Sequence, residues 1–232
     1  MRCTVGVQHT CGVTDSAVPD SPLPLPRYVR AAVIGPASDF SEAVINAFST
    51  TDRRVHHLVP LELSSMSTPL SRSLDVALLT VDPSSLESVL SGHAELFSGL
   101  VVVVCTSAVS HDKDGFFMER VPEGGVANLV ARLLPNARTV GALQQFNAEH
   151  VILASLGTLE TDVPVVADDI EAADLVEGLI DEIRGFNSVY AGPLRSSAAI
   201  EGIAAVINEA ARERGSPVGF RLSRTGIKIL DR

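Results

Sequence analysis

The most constraining feature of this sequence is an uninterrupted apolar run, Leu100-Val-Val-Val-Val-Cys105. A strand that lacks polar alternation is typical of a parallel sheet covered by helices on both faces. Other apolar runs recur along the chain, and segments with helical periodicity lie between them. This alternation predicts an α/β, Rossmann-like fold with a mostly parallel sheet, helices on both faces and a C-terminal helical dimerisation element.

The predicted strands and helices alternate from residue 29 onwards. Strands are expected at 29–35, 55–61, 75–81, 100–105, 138–143, 163–166 and 186–190, and helices at 38–48, 83–90, 124–134, 148–154, 170–184 and 196–214. Segments 64–73 and 106–122 are predicted to be loops. Asp168 or Asp169 is expected to cap the helix that follows it. His150 is expected on a helix surface.

Three segments are predicted along the chain. Residues 1–27 form a Pro-rich N-terminal extension, expected to be flexible because four prolines between 19 and 26 prevent helix formation. Residues 28–195 form the Rossmann-like domain, and residues 196–232 form a C-terminal helix and tail. The Ala-rich helix 197–211 is apolar on more than one face, which suits a subunit interface.

Charge and composition exclude several classes of protein. The chain has 232 residues and a formal net charge of −10. Without a dense cluster of Lys and Arg, binding to nucleic acid is not expected. A membrane partner is not expected either, since no apolar run approaches the roughly 20 residues of a span. Residues 1–27 lack a secretory-signal pattern, which favours a cytoplasmic protein.

The cysteines and histidines give no metal site. Only three cysteines are present, and no His/Cys constellation has the spacing of metal ligands. Cys105 ends the apolar run and is predicted to be a small core residue.

The first strand-to-helix turn is the diagnostic place for a nucleotide, because ligands bind at the carboxyl ends of the strands. A dinucleotide site has G-x-G-x-x-G there. Residues 35–41 read Gly-Pro-Ala-Ser-Asp-Phe-Ser, with one glycine, a proline that has no N–H and an aspartate. From the residues alone, this is a Rossmann-like chain without the usual nucleotide signature.

From Asp75 onwards, the order of motifs resembles the NADPH-dependent reductases of the deazaflavin coenzyme F420. The matching segments, spread over residues 28–230, are Asp75–Pro83, Val109–Phe116, Gly125–Ala131, Thr139–Gln144, Val163–Asp169, Ala191–Leu194 and Gly226–Leu230. The resemblance implies hydride transfer between a nicotinamide or deazaflavin coenzyme and a partner, with NADP(H), F420 or both as coenzyme. It also implies a homodimer through the C-terminal part.

In that family the protein positions two flat rings and supplies no acid or base for the transfer. The positions that the resemblance assigns to coenzyme binding are Gly35, Pro36, Ala37, Ser38, Thr80, Val81, Pro83, Thr106, Ala108, Val109 and Gln144.

The sequence departs from the family at the groups that hold phosphate. Of the Gly-rich loop G-G-T-G-x-x-G only the first glycine survives, and the Ser-Arg pair after the second strand is missing. The helix between the second and third strands is replaced by the loop-like residues 62–74, and Gln144 stands where the family has His. Ser196 and Ala198 replace an Asn and an Arg. These changes disfavour NADPH binding in the family's mode.

Three functions therefore remain open. The first is a redox enzyme of the F420-dependent NADP reductase type. The second is a relative without NADP(H), or without any coenzyme, that performs non-redox chemistry on a small metabolite with His111 or Asp82 as acid or base. The third is a non-catalytic, dimeric protein that binds a small molecule. The competing structural roles are a solvated loop for His111 and a helix cap for Asp82.

Overall fold

The structure is a computed structural model that describes residues 29–49 and 55–223. The predicted extension 1–27 and the end of the predicted tail lie outside the described residues. The strands are β1 (Ala31–Ile34), β2 (Val55–Leu58), β3 (Val76–Leu79), β4 (Val101–Val104), β5 (Val109–Asp112), β6 (Gly115–Met118), β7 (Arg138–Gly141), β8 (Thr161–Ala167) and β9 (Phe186–Gly192). The helices are α1 (Asp39–Phe48), α2 (Pro60–Leu63), α3 (Leu86–Leu90), α4 (Val126–Leu133), α5 (Ala148–Ser155), α6 (Ile170–Asp181) and α7 (Ser197–Arg214).

Seven strands form one sheet in the order β2-β1-β3-β4-β7-β8-β9. All neighbours are parallel except β7 and β8, so the predicted mostly parallel sheet is confirmed. The chain leaves β1 for β2 on one side and returns to β3 on the other. The ends of β1 and β3 therefore form the topological switch point, where open α/β sheets bind ligands.

The Val run fills a core on each face of the sheet. Val101 and Val103 pack into one core with residues of α1, α5 and α6, whereas Val102 and Val104 pack into the other with residues of α3 and α4. Successive side chains of a strand point to opposite faces, so a strand that is covered twice needs apolar residues at every position. The expectation that Cys105 is a core residue is also confirmed.

Two predicted loops contain regular structure. The predicted loop 106–122 holds a hairpin, β5 and β6, with Lys113 and Asp114 as its two turn residues. Gly115, the residue directly after this turn, has a positive φ of 127°, a conformation that favours glycine after a short hairpin turn. The predicted strand 55–61 ends at Leu58, since Pro60 begins the one-turn helix α2. The predicted loop 64–73 contains a 3-10 turn, Leu70–Arg72.

The last helix, α7, passes from one core to the other. Ile200 packs into the core of α3 and α4, and Ile207, two turns later, packs into the core of α1, α5 and α6. The helix ends at Gly215, which adopts the left-handed conformation. Phe220 and Leu222 then bond to Thr161 and Asp162 at the start of β8. None of the helices described in 29–49 and 55–223 is long and apolar enough to cross a membrane.

The expected surface position of His150 is wrong, because its side chain is only 1% exposed. Its Nδ1 donates to the side-chain oxygen of Asn147, 2.8 Å away, and its ring stacks on Phe146. This burial lowers the pKa of His150. The pattern of α5 could not show it, because the residues that cover this ring come from outside the helix.

Candidate functional site

The switch point is built from the turn between β1 and α1. Ser38 caps α1 by accepting the N–H of Ser41 at 3.2 Å. The Ser41 hydroxyl, fully buried, lies 2.7 Å from the carbonyl oxygen of Pro36, 2.8 Å from Thr80 Oγ1 and 3.0 Å from Ser38 Oγ. This chain of hydroxyls joins the first turn of α1 to the end of β3.

Gly35 is held against the end of β3. A Cβ placed on it would lie 2.1 Å from Thr80 Oγ1 and 3.0 Å from the Thr80 carbonyl carbon. On the other side, His57 Nε2 lies 3.1 Å from the carbonyl oxygen of Gly35. His56, its neighbour in β2, is exposed, so the two histidines point apart as their adjacency predicts.

The ends of β3 and β4 share a cavity. Asp82 caps the 3-10 turn Pro83–Ser85 by accepting the N–H of Ser84 at 2.9 Å, the helix-capping alternative that its sequence predicts. Its catalytic role stays a prediction. Pro83 and Ala108 line a cavity of about 320 Å³. The rest of the lining is Ser84, Glu87, Glu119, Arg120, Val121, Pro122, Glu123 and Leu129.

A buried polar cluster lies at the end of β7. Gln144 Nε2 donates to the carbonyl oxygen of Thr106 at 3.2 Å and to Glu201 Oε1 at 3.1 Å. The same Glu201 oxygen accepts the N–H of Val126 at 2.7 Å and the hydroxyl of Ser197 at 2.5 Å. The cluster thereby fixes the ends of β4 and β7 to the first turns of α4 and α7.

The backbone before Gln144 is unusual. Leu143 is buried and has a φ of 62°, which places it in the left-handed region that non-glycine residues avoid. This conformation costs on the order of 1 kcal/mol and is found most often where surrounding structure holds a functional side chain in place. In this protein the left-handed conformation of Leu143 directs the side-chain amide of Gln144 towards the buried cluster.

The predicted acid–base residue His111 lies on β5, outside the switch point. It lines a cavity of about 450 Å³ with Phe116, Asn147, Glu149, Asn208, Ala211, Arg212 and residues 215–217. Glu209 holds this hairpin on α7, since it accepts the N–H of Phe116 and pairs with Arg212. Arg212 and that N–H lower the pKa of Glu209.

The structure therefore distributes the predicted site residues over four places. Ser38 and Thr80 belong to the hydroxyl chain of the switch point, and Gly35 packs against Thr80. Pro83 and Ala108 line the smaller cavity, and Thr106 and Gln144 belong to the buried cluster. His111 lies apart, in the larger cavity. Pro36 and Ala37 are exposed in the turn, Val81 is buried beside Thr80, and Val109 begins β5.

Two residues of this edge were not anticipated from the sequence. The Ser41 hydroxyl is the central member of the hydroxyl chain, and Glu201 is the shared acceptor of the buried cluster. A signal for Glu201 exists, because a charged residue between Ile200 and Ile203 interrupts the apolar stripe of its helix.

Cys105 is buried nearby, and burial raises the pKa of its thiol, which argues against a nucleophilic role. No three His, Cys, Asp or Glu side chains of the described ranges are grouped to hold a metal ion.

The strand order and the mostly parallel sheet place the chain in the class of Rossmann-like α/β proteins. No protein-family model matches the sequence. A crystal structure of a provisionally assigned F420-dependent NADP-reductase from Arthrobacter sp. FB24 superposes with a TM-score of 0.69 at 16% identity, covering 84% of this chain and 100% of that one.

Two further structures share the fold. A hypothetical protein from Sinorhizobium meliloti has a TM-score of 0.56 at 20% identity and covers 82% of this chain and 93% of its own. The reductive aminase from Aspergillus terreus in complex with NADPH and ethyl levulinate has a TM-score of 0.52 at 14% identity. It matches 81% of this chain over 63% of its own length.

Proposed function

We propose that this protein is an oxidoreductase of the F420-dependent NADP reductase type, transferring a hydride between a coenzyme ring and a small-molecule partner. The observation that carries the proposal is the shared cavity of Pro83 and Ala108, two of the positions that the family resemblance assigns to the coenzyme. The likeness in fold to the Arthrobacter reductase over the whole of that chain supports it.

The lining of this cavity suits a flat ring. Five lining residues offer apolar surface and five supply polar groups: Pro83, Ala108, Val121, Pro122 and Leu129 are apolar, and Ser84, Glu87, Glu119, Arg120 and Glu123 are polar. Apolar surface in a ligand pocket contacts the ring, and polar groups fix its orientation. A nicotinamide or deazaflavin ring, when bound, accepts or gives a hydride.

The work of the protein in such a reaction is positioning, since the transfer itself requires no acid or base from the chain. Thr106 Oγ1 donates to the carbonyl oxygen of Val81 at 3.0 Å, which ties the end of β4 to the end of β3. Gln144 ties β7 to the same residue through the Thr106 carbonyl. These bonds hold the three strand ends in fixed relative positions beside the cavity.

The experiment is a calorimetric titration of the full chain with the oxidised deazaflavin coenzyme, in the wild type and in Ser84→Trp. Ser84 is exposed and lines the cavity, so an indole there occupies the space of the ring. The matched control is Ser88→Trp, because Ser88 is also an exposed serine with a local hydrogen bond but does not line the cavity.

We expect binding in the wild type and in Ser88→Trp, and at least about tenfold weaker binding in Ser84→Trp, a loss of about 1.4 kcal/mol. Equal affinity of the two tryptophan variants would show that the coenzyme does not bind in this cavity. If the chain binds neither this coenzyme nor NADPH, the reductase function fails.

Acid–base chemistry on a small metabolite is the second candidate function. It is favoured by the position of His111 in the larger cavity, beside the amides of Asn147 and Asn208 and the guanidinium of Arg212. Imidazole is the side chain most often used for proton transfer in enzymes. A screen of metabolites by thermal shift tests it: a true ligand stabilises the wild type and Ala198→Trp, but not the cavity-filling Ala211→Trp.

A further inference from the structure

The turn between β1 and α1 is hydrogen-bonded to itself. The hydroxyl of Ser41 has one proton, which it donates to the Pro36 carbonyl, and two lone pairs. With that proton committed, the hydroxyls of Thr80 and Ser38 donate to the Ser41 oxygen. The three hydroxyl protons of the switch point are thus used within the protein, and none is left for a phosphate oxygen.

The glycine of this turn has a structural use of its own. In a dinucleotide-binding turn the glycines let the backbone approach the pyrophosphate closely. Here the space beside the Cα of Gly35 holds the Thr80 hydroxyl, which a Cβ would meet at 2.1 Å. The close approach that requires glycine is therefore between two parts of this chain, and not between the chain and a ligand.

The charges around the turn repel phosphate. Asp39 and Glu42 lie in the first turn of α1, where a pyrophosphate would need positive potential. Pro36 has no N–H to offer. After β2, where NADP-binding chains carry an arginine for the 2′-phosphate, Glu62 accepts the N–H of Val59 at 2.8 Å. Carboxylates thus stand at both places where a dinucleotide would bring phosphate.

We propose that the β1–α1 turn does not accept the pyrophosphate of a dinucleotide. The residues of this turn do not fit the pyrophosphate of NADP(H). Given the proposed function, the coenzyme of this protein is then one with a flat ring whose binding does not require a pyrophosphate at this turn. The deazaflavin coenzyme, which has no pyrophosphate, is the probe of that class.

The test is a pair of calorimetric titrations of the full chain, one with NADPH and one with the oxidised deazaflavin coenzyme. Each is repeated in Ser38→Asp and in Ser38→Asn. Asp, Asn and Ser are comparable helix caps, so both variants keep the cap of α1. Only Ser38→Asp adds a negative charge at the turn, and it therefore weakens any phosphate bound there by about tenfold or more.

We expect no heat with NADPH up to millimolar concentration, and deazaflavin binding that is equal in all three proteins. NADPH binding that Ser38→Asp weakens and Ser38→Asn leaves unchanged would overturn the inference, while leaving the reductase function standing. NADPH binding that neither variant changes places the dinucleotide elsewhere and upholds the inference about the turn. Binding of neither coenzyme upholds it too, and removes the proposed function instead.

Discussion

Glu201 on α7 accepts the backbone N–H of Val126, the first residue of α4, at 2.7 Å. The N-cap of α4 is Gly125, which has no side chain to satisfy that N–H. A Cβ at Gly125 would lie 2.8 Å from Glu201 Oε1, so the glycine makes room for the carboxylate. Glu201 is fully buried. Its carboxylate therefore caps α4 from a different helix, and it also accepts hydrogen bonds from Gln144 and Ser197.

The first prediction concerns this carboxylate. Glu201→Ala removes the acceptor of the Val126 N–H, of the Ser197 hydroxyl and of one amide proton of Gln144, whose other bond to the Thr106 carbonyl remains. We expect it to lower the free energy of unfolding by about 3–5 kcal/mol. Glu201→Gln keeps one acceptor oxygen, and we expect a loss of about 1 kcal/mol. Urea denaturation measures both.

A matched control for Glu201→Ala is Glu213→Ala, on the same helix but exposed. It is expected to have little effect on the urea midpoint. If the Gln and Ala variants of Glu201 lose equal stability, the charge itself and not the acceptor would be what the cluster needs.

The second prediction tests why Gly35 is glycine. Gly35→Ala sets a methyl group against Thr80 and should cost about 2–3 kcal/mol of unfolding free energy without any ligand present. Thr80→Ala removes the hydroxyl that the methyl group meets first, at 2.1 Å. We therefore expect the double variant to lose at least about 1 kcal/mol less unfolding free energy than the two single variants lose when their losses are added. A double-mutant cycle in urea measures this coupling, and strict additivity would show that the contact does not matter.

Much of the fold could be predicted from the sequence because its signals are local. The Val run from 101 to 104 requires two covering layers, and both are present. Asp169, one of the two residues predicted to cap the helix after them, caps α6. The hairpin was missed although a glycine directly after the turn residues Lys113 and Asp114 was a usable signal, since the flanking strands have only four residues each.

The candidate site was less predictable because it depends on contacts between distant parts of the chain. Ser41 and Thr80 are 39 residues apart, and Gln144 and Glu201 are 57 apart. Composition and periodicity contain no information on such pairs. The missing glycines and arginine did indicate a changed phosphate site, but only the structure shows the hydroxyl chain that fills it.

The third prediction is a pH dependence at the start of α6. Arg138 Nη2 donates to Asp169 Oδ1 at 2.8 Å, and this pairing lowers the pKa of Asp169 from 3.8 to about 2. Because the native pKa lies below the unfolded one, the pair stabilises the protein above about pH 4, and this stabilisation is lost as the pH falls towards 2. Asp169 is 38% exposed, so solvent screening limits the effect to about 1 kcal/mol.

Asp169→Asn isolates this charge, since asparagine caps a helix as well as aspartate does. We expect the variant to be about 1 kcal/mol less stable than the wild type at pH 6 and to lose most of that difference by pH 2, measured by urea denaturation across the pH range. A difference that stays constant with pH would mean that the ion pair does not contribute.

The last prediction concerns the homodimer that the family resemblance implies through the C-terminal part. An apolar groove of about 420 Å³ runs along α7, lined by Ala199, Gly202, Ile203, Val206, Ile207, Ala210 and residues 218–220. Val206 is 69% exposed in it, an unusual position for a β-branched apolar side chain. We predict that Val206→Glu gives a folded monomer, because the side chain contributes little to the monomer core. Sedimentation equilibrium measures the mass, with Ile152→Glu, also on an exposed apolar residue but on α5, as the control that stays dimeric. A wild-type chain that sediments as a monomer at micromolar concentration would contradict the dimer, and a dimer that Val206→Glu leaves intact would place its interface away from α7.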